Sequence, residues 1–115
     1  MAENDERLVI LEKAKKVRAD LDSEATAAAG VKFNQAVVLS QIALAGDNAM
    51  VSRLGPALDR AVHTLTTAVS GLERKGLVVR IQRKGEDRRV FRINLTPAGT
   101  DVLAKLRETT LPLPK

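Results

Sequence analysis

Arginine and lysine crowd one stretch of this chain. Between Glu73 and Arg92 stand eight basic residues, Arg74, Lys75, Arg80, Arg83, Lys84, Arg88, Arg89 and Arg92, against three acidic ones, Glu73, Glu86 and Asp87. From Met1 to Glu24 the balance reverses, with five basic residues and seven acidic. The formal charge of +5 is therefore local, as expected of a surface that meets a polyanion. Guanidinium and ammonium groups bind phosphate through charge-assisted hydrogen bonds. Just upstream, His63, Thr66, Thr67 and Ser70 add short hydrogen-bonding groups without bulk, suited to close approach to a groove.

Other chemistries lack their residues. No nucleophile–base pair, carboxylate dyad or phosphate-cradling glycine loop occurs at a useful spacing, so no catalytic residue is expected. With no Cys and one His, neither a thiolate nor a zinc site is expected, and no cofactor is implied. Two Phe, no Tyr and no Trp leave no aromatic platform for stacking unpaired bases, which argues against RNA or single strands. Double-stranded DNA is the expected polyanion, because a polar helix face followed by an arginine-rich hairpin suits a duplex. The acidic start is followed by no apolar run of signal-peptide or membrane length, so the expected location is cytoplasmic, with no membrane partner.

The elements that must position these groups follow from periodicity. At 115 residues and 44% hydrophobic content, one domain spanning 1–115 is expected, with an aliphatic core. Over 5–29 no Gly or Pro intervenes, and Ile10, Ala14, Val17 and Leu21 recur at spacings of four and three, predicting a one-stripe helix. That stripe is longer than a domain of this size covers by itself, so it is expected to meet a second copy of the chain. Gly30 closes the helix, and Asn34 is the expected N-cap of the next, with Phe33 stapled onto Val38. A short helix is predicted over Val51 to Leu58, with Pro56 within its first turn or so. The turn Asp59-Arg60 leads into a helix whose apolar arc is Val62, Leu65, Val69 and Leu72, and whose outward arc is His63, Thr67, Ser70 and Arg74, flanked by Thr66. Gly71 on its flank is expected to admit another backbone, and Gly76 to end the helix.

Leu77 to Ile81 and Val90 to Leu95 alternate as strands around Lys84-Gly85-Glu86-Asp87, a hairpin with a cationic tip. Phe91, Ile93 and Leu95 share one of its faces. Thr96 and Pro97 then suit the N-cap and first position of a last helix, assigned to 96–111. The fold class is mainly α with a small β-hairpin, a winged helix-turn-helix (33–95) between N- and C-terminal dimerisation helices. Its expected DNA-facing residues include Arg60 and Lys84 beside the outward arc of the helix.

Leu72-Glu73-Arg74-Lys75-Gly76-Leu77-Val78, then Asp87-Arg88-Arg89, then Leu95-Thr96-Pro97-Ala98-Gly99 resemble the MarR family of winged-helix transcriptional regulators, over roughly Phe33 to Leu106. The resemblance implies a homodimer on a pseudo-palindromic duplex, with one recognition helix per major groove and one wing per adjacent minor groove. It assigns recognition to Val62, His63, Thr66 and Thr67, although the helical wheel turns Val62 towards the core. Asp87 and Arg89 match the wing tip: Arg89 would enter the minor groove, Asp87 would orient a neighbouring arginine, and Arg88 and Arg83 would contact phosphates. Typical members carry a longer C-terminal dimerisation region. Here dimerisation is expected to rest on the first helix with Val102, Leu103 and Leu106. Many members bind a small effector, of which these residues carry no positive sign. The resemblance thus implies a sequence-selective regulator, in all expectation a repressor. The alternative is a winged-helix module for DNA organisation or segregation, or for protein interaction, without promoter regulation.

Overall fold

A computed structural model describes residues 2–46, 49–58, 62–82 and 91–114. Five helices and one hairpin follow in the order α1 (Ala2–Ala29), α2 (Phe33–Ala45), α3 (Val51–Leu58), α4 (Val62–Arg74), β1 (Val78–Ile81), β2 (Arg92–Leu95) and α5 (Pro97–Arg107). Among the described residues, no helix is long and apolar enough to cross a membrane.

α1 begins three residues earlier than its periodicity predicts and ends as expected, at Gly30, whose φ of 73° closes the helix while its N–H donates to the Thr26 carbonyl at 2.8 Å. Its 28 residues make a rod of about 42 Å. Residues 6–20 are exposed, and α1 joins the core only from Leu21 and Ala25 onwards.

α2 is the centre of the packing, with Ala36, Val38, Leu39 and Ile42 all buried. Its start differs from the expected Asn34 cap. Lys32 holds the N-cap position and Phe33 is the first helical residue. The cap has a tertiary and a local part: the Asp22 carboxylate of α1 accepts the Phe33 N–H at 2.9 Å, and Gln35 Oε1, three residues on, accepts the Lys32 N–H at 3.1 Å. A carboxylate at that end also complements the helix dipole, so a partner eleven residues upstream displaces the local preference for Asn.

α3 carries Pro56 as its sixth residue, in the second turn rather than the first. The missing N–H leaves the Ser52 carbonyl without an intrahelical donor. Before α3, the Ala49 carbonyl accepts the Ile93 N–H at 2.8 Å, tying the α2–α3 connection to the hairpin.

β1 and β2 pair antiparallel, Val78 opposite Leu95 and Arg80 opposite Ile93. Opposed residues project to the same side. Val78 and Ile93 are buried there, and Val79 and Asn94 are exposed on the other. β1 starts one residue later than predicted because the Leu77 N–H is drawn back to the Leu72 carbonyl at 3.0 Å, completing the helix stop at Gly76, φ 75°. Val90 lies outside the described residues.

Two of the strings that carry the family resemblance, Leu72–Val78 and Leu95–Gly99, meet at this joint. Thr96 donates its hydroxyl to the Gly76 carbonyl at 2.6 Å and its N–H to the Leu77 carbonyl at 3.0 Å, and accepts the Gly99 N–H at 3.1 Å as the N-cap of α5. Pro97 follows at the first position as expected. A Cβ on Gly99 would overlap the Leu77 carbonyl oxygen, so only glycine fits this approach.

α5 ends at Arg107, four residues short of the assigned 96–111 helix. Thr109 donates its hydroxyl to the Leu106 carbonyl and accepts the Leu111 N–H, offering the backbone a local alternative to another helical turn. Leu111 and Leu113 then fold back on the core. Leu103 and Leu106, expected to meet a second copy, are 4% and 0% exposed within their own chain. They already fill this core. Val102 is half-buried against the same core.

Candidate nucleic-acid interface

α4 divides as its periodicity predicts. Leu65, Ala68, Val69 and Leu72 are buried, while His63, Thr66, Thr67 and Arg74 are exposed. His63, Thr67 and Arg74 fall within about 40° of arc at 100° per residue and extend along about 16 Å of the helix. The Thr67 hydroxyl donates to the His63 carbonyl at 3.0 Å, leaving its lone pairs outward. Arg74 occupies the last turn, where a cation complements the carbonyl end of the helix. Val62 opens α4, and its side chain lies outside the described residues. So do Arg60 and the hairpin-tip residues Arg83, Lys84, Asp87, Arg88 and Arg89.

Ser70 sits differently from the rest of its arc. It is half-buried, and its hydroxyl accepts Arg80 Nη2 at 2.6 Å. Strand alternation turns Arg80 onto the inner face of the hairpin, beside Ile93. Its guanidinium carbon lies 5.5 Å from the centroid of Phe91, and its Nε is 3.6 Å from Glu73 Oε2. An arginine on a core-facing position requires such partners. Together they brace the hairpin against α4. Arg80 belongs to the basic run of the sequence but not to its expected DNA contacts, and the alternation that sets Phe91 and Ile93 on one face is the signal that locates it.

The opposite flank of α4 borders an open groove of about 700 Å³ towards the start of α2. Lys32, Gln35, His63, Thr67, Arg74 and Lys75 line it. Gln35 Oε1 accepts from both the Lys32 N–H and Lys75 Nζ, each at 3.1 Å, and Lys75 Nζ also donates to the Gly30 carbonyl at 2.9 Å. The approach occurs at Gly71, where a Cβ would stand 2.6 Å from Gln35 Nε2. The neighbour admitted by Gly71 is thus a side chain, not the backbone expected from sequence. No local signal marked Lys32 or Gln35, because only the packing of α2 on α4 brings them beside residues some forty positions later.

Of the expected dimer stripe, Ile10 is 66% and Val17 56% exposed, and Ala14 is exposed with them. Leu8, Val9 and Leu11 are about half exposed nearby. Leu21 differs, half-buried against its own core. α1 therefore carries an apolar surface that its own chain leaves uncovered.

No family model and no curated protein sequence matches this chain. Solved structures do. The chain resembles the Mycobacterium tuberculosis transcriptional regulator MosR in complex with DNA, at 27% identity over 88% of this chain and 71% of that one, TM-score 0.71. A MarR/EmrR family transcriptional regulator from Acinetobacter sp. ADP1 superposes at 0.72, with 20% identity over 94% and 75% of the two chains. A MepR-like protein complexed with pseudoligands superposes at 0.79, with 22% identity over 96% and 77%. In element order, hairpin pairing and superposition, the chain has the winged helix-turn-helix fold of the MarR-family transcription regulators.

Proposed function

We propose that this protein is a transcriptional regulator that binds double-stranded DNA as a homodimer and acts as a repressor by occupying promoter DNA. The observation that carries the reading is the exposed face of α4, where the arc of His63, Thr67 and Arg74 carries no bulky apolar residue and no acid, Glu73 lying on its hairpin-side flank. A helix of about 10–12 Å diameter fits the major groove of B-DNA. His63, Thr66 and Thr67 meet base edges there, with Val62 at the helix start. Arg74 and Arg60 meet phosphates. Arg89 enters the adjacent minor groove, oriented by Asp87, with Arg83, Lys84 and Arg88 along the backbone. Similarity to a regulator crystallised with DNA supports this assignment. The uncovered apolar stripe of α1 around Ile10, Ala14 and Val17 supports a second copy as its cover.

Anisotropy titration of a fluorescent duplex of about two helical turns, at several salt concentrations, tests the reading. Binding should weaken with a log–log slope of about −0.9 per phosphate contact, and Arg89→Ala should weaken it further. Light scattering on the same samples should return twice the chain mass of 12.4 kDa. Absence of binding at low salt, where attraction is greatest, overturns the DNA reading, and a monomeric mass at micromolar concentration overturns the dimer.

A further inference from the structure

We infer that the groove between α4 and the start of α2 is a second phosphate-binding surface, holding the duplex backbone on the side of α4 away from the wing. The inference rests on the DNA reading above and extends it to Lys32 and Lys75, which neither the outward arc of α4 nor the hairpin tip contains. Three formal cations, Lys32, Arg74 and Lys75, line the groove together with His63, and among the described residues no carboxylate does. The described contacts of Lys75 are to neutral oxygens. Lys75 spends two of its three donors on the Gly30 carbonyl and the Gln35 amide oxygen, so one remains for an outside acceptor. The same amide oxygen accepts the Lys32 N–H, so Gln35 ties the backbone of one lysine to the ammonium of the other.

The start of α2 is not itself the attraction. Asp22 already accepts the Phe33 N–H, filling the place an external anion would take at that helix end. Side-chain charge beside α4 is what draws a polyanion. A helix lying in a groove about 12 Å wide has a phosphate ridge on either hand, and the wing accounts for only one of them. Lys32, at the α1–α2 turn, is exposed and brings to this groove a charge from outside α4.

The test repeats the anisotropy titration with Lys32→Gln, Lys32→Arg and Lys75→Gln on two duplexes of unrelated sequence, after circular dichroism melts have established that each variant is folded. Lys32→Gln should weaken binding roughly fivefold to tenfold, equally on both duplexes, and reduce the salt slope by about 0.9 per half-site. Lys32→Arg should restore affinity and slope, because the charge is what matters. Lys75→Gln should lose slope in the same way. Wild-type slopes in both glutamine variants, or weakening confined to one duplex, overturn the inference while the DNA reading stands. Failure of the unaltered protein to bind at low salt overturns both.

Discussion

The two flanks of α4 meet their charge in opposite ways. On the hairpin side, Arg80 is enclosed by partners of its own chain: Ser70, Glu73 and the face of Phe91. On the α2 side, Lys75 meets two neutral oxygens, and among the described residues no carboxylate lines the groove it shares with Lys32 and Arg74. The first arrangement consumes a positive charge to hold two elements at a set angle; the second leaves positive charge available. A basic residue count alone treats these arginines and lysines alike. Their neighbours decide which of them brace the fold and which meet a partner.

Both flanks depend on one buried helix face. Leu72, fully buried between them, is the residue whose loss should erase the comparison: Leu72→Ala should cost about 2–5 kcal/mol through lost burial and the cavity left behind. Urea denaturation would measure it, and a loss under 1 kcal/mol would mean that α4 is not seated as described. Arg80→Met removes the brace while keeping apolar bulk against Phe91. Its expected cost is about 1–2 kcal/mol, from the charge-assisted bond to Ser70, and its salt slope on DNA should stay near that of the unaltered protein, because Arg80 is spent internally. A slope reduced as far as in Lys32→Gln would make Arg80 a phosphate contact and dissolve the distinction between the flanks. The smallest effect is expected of Glu73→Gln. Its ion pair, at 3.6 Å with the carboxylate side chain 42% exposed, should contribute less than about 1 kcal/mol. The variant also deletes the one described carboxylate beside the exposed face of α4, so duplex binding at low salt should tighten modestly, by about twofold to fivefold. Weaker binding in the same titration would mean that Glu73 acts through the angle of the hairpin rather than through its charge.

Much of this architecture was legible where the physics is local. The period of α4 separated its buried leucines from His63, Thr67 and Arg74. Gly76 announced a helix stop that needs positive φ, and Thr96-Pro97 announced a helix start. Alternation placed Phe91 and Ile93 on one side of the hairpin. Where partners come from afar, local rules misled. Asn34 is a better N-cap than Lys32 by type, yet the Asp22 carboxylate from α1 moves the helix start. Leu103 and Leu106 form an apolar stripe that looks the same whether a second copy or the chain's own core covers it, and here the core does. Thr109 ends α5 before the Leu-Pro-Leu-Pro stretch that composition suggested as its stop.

By itself, the order of residues determined the helices, the hairpin, the aliphatic core and the concentration of positive charge downstream of Glu73, because periodicity, backbone stereochemistry and charge are properties of neighbours in the chain. Only the tertiary structure decided which charges are neutralised, which apolar stripes are covered and that Lys32 stands beside Lys75. Those outcomes depend on groups brought together across some forty residues, and electrostatics and burial act through space rather than along the backbone.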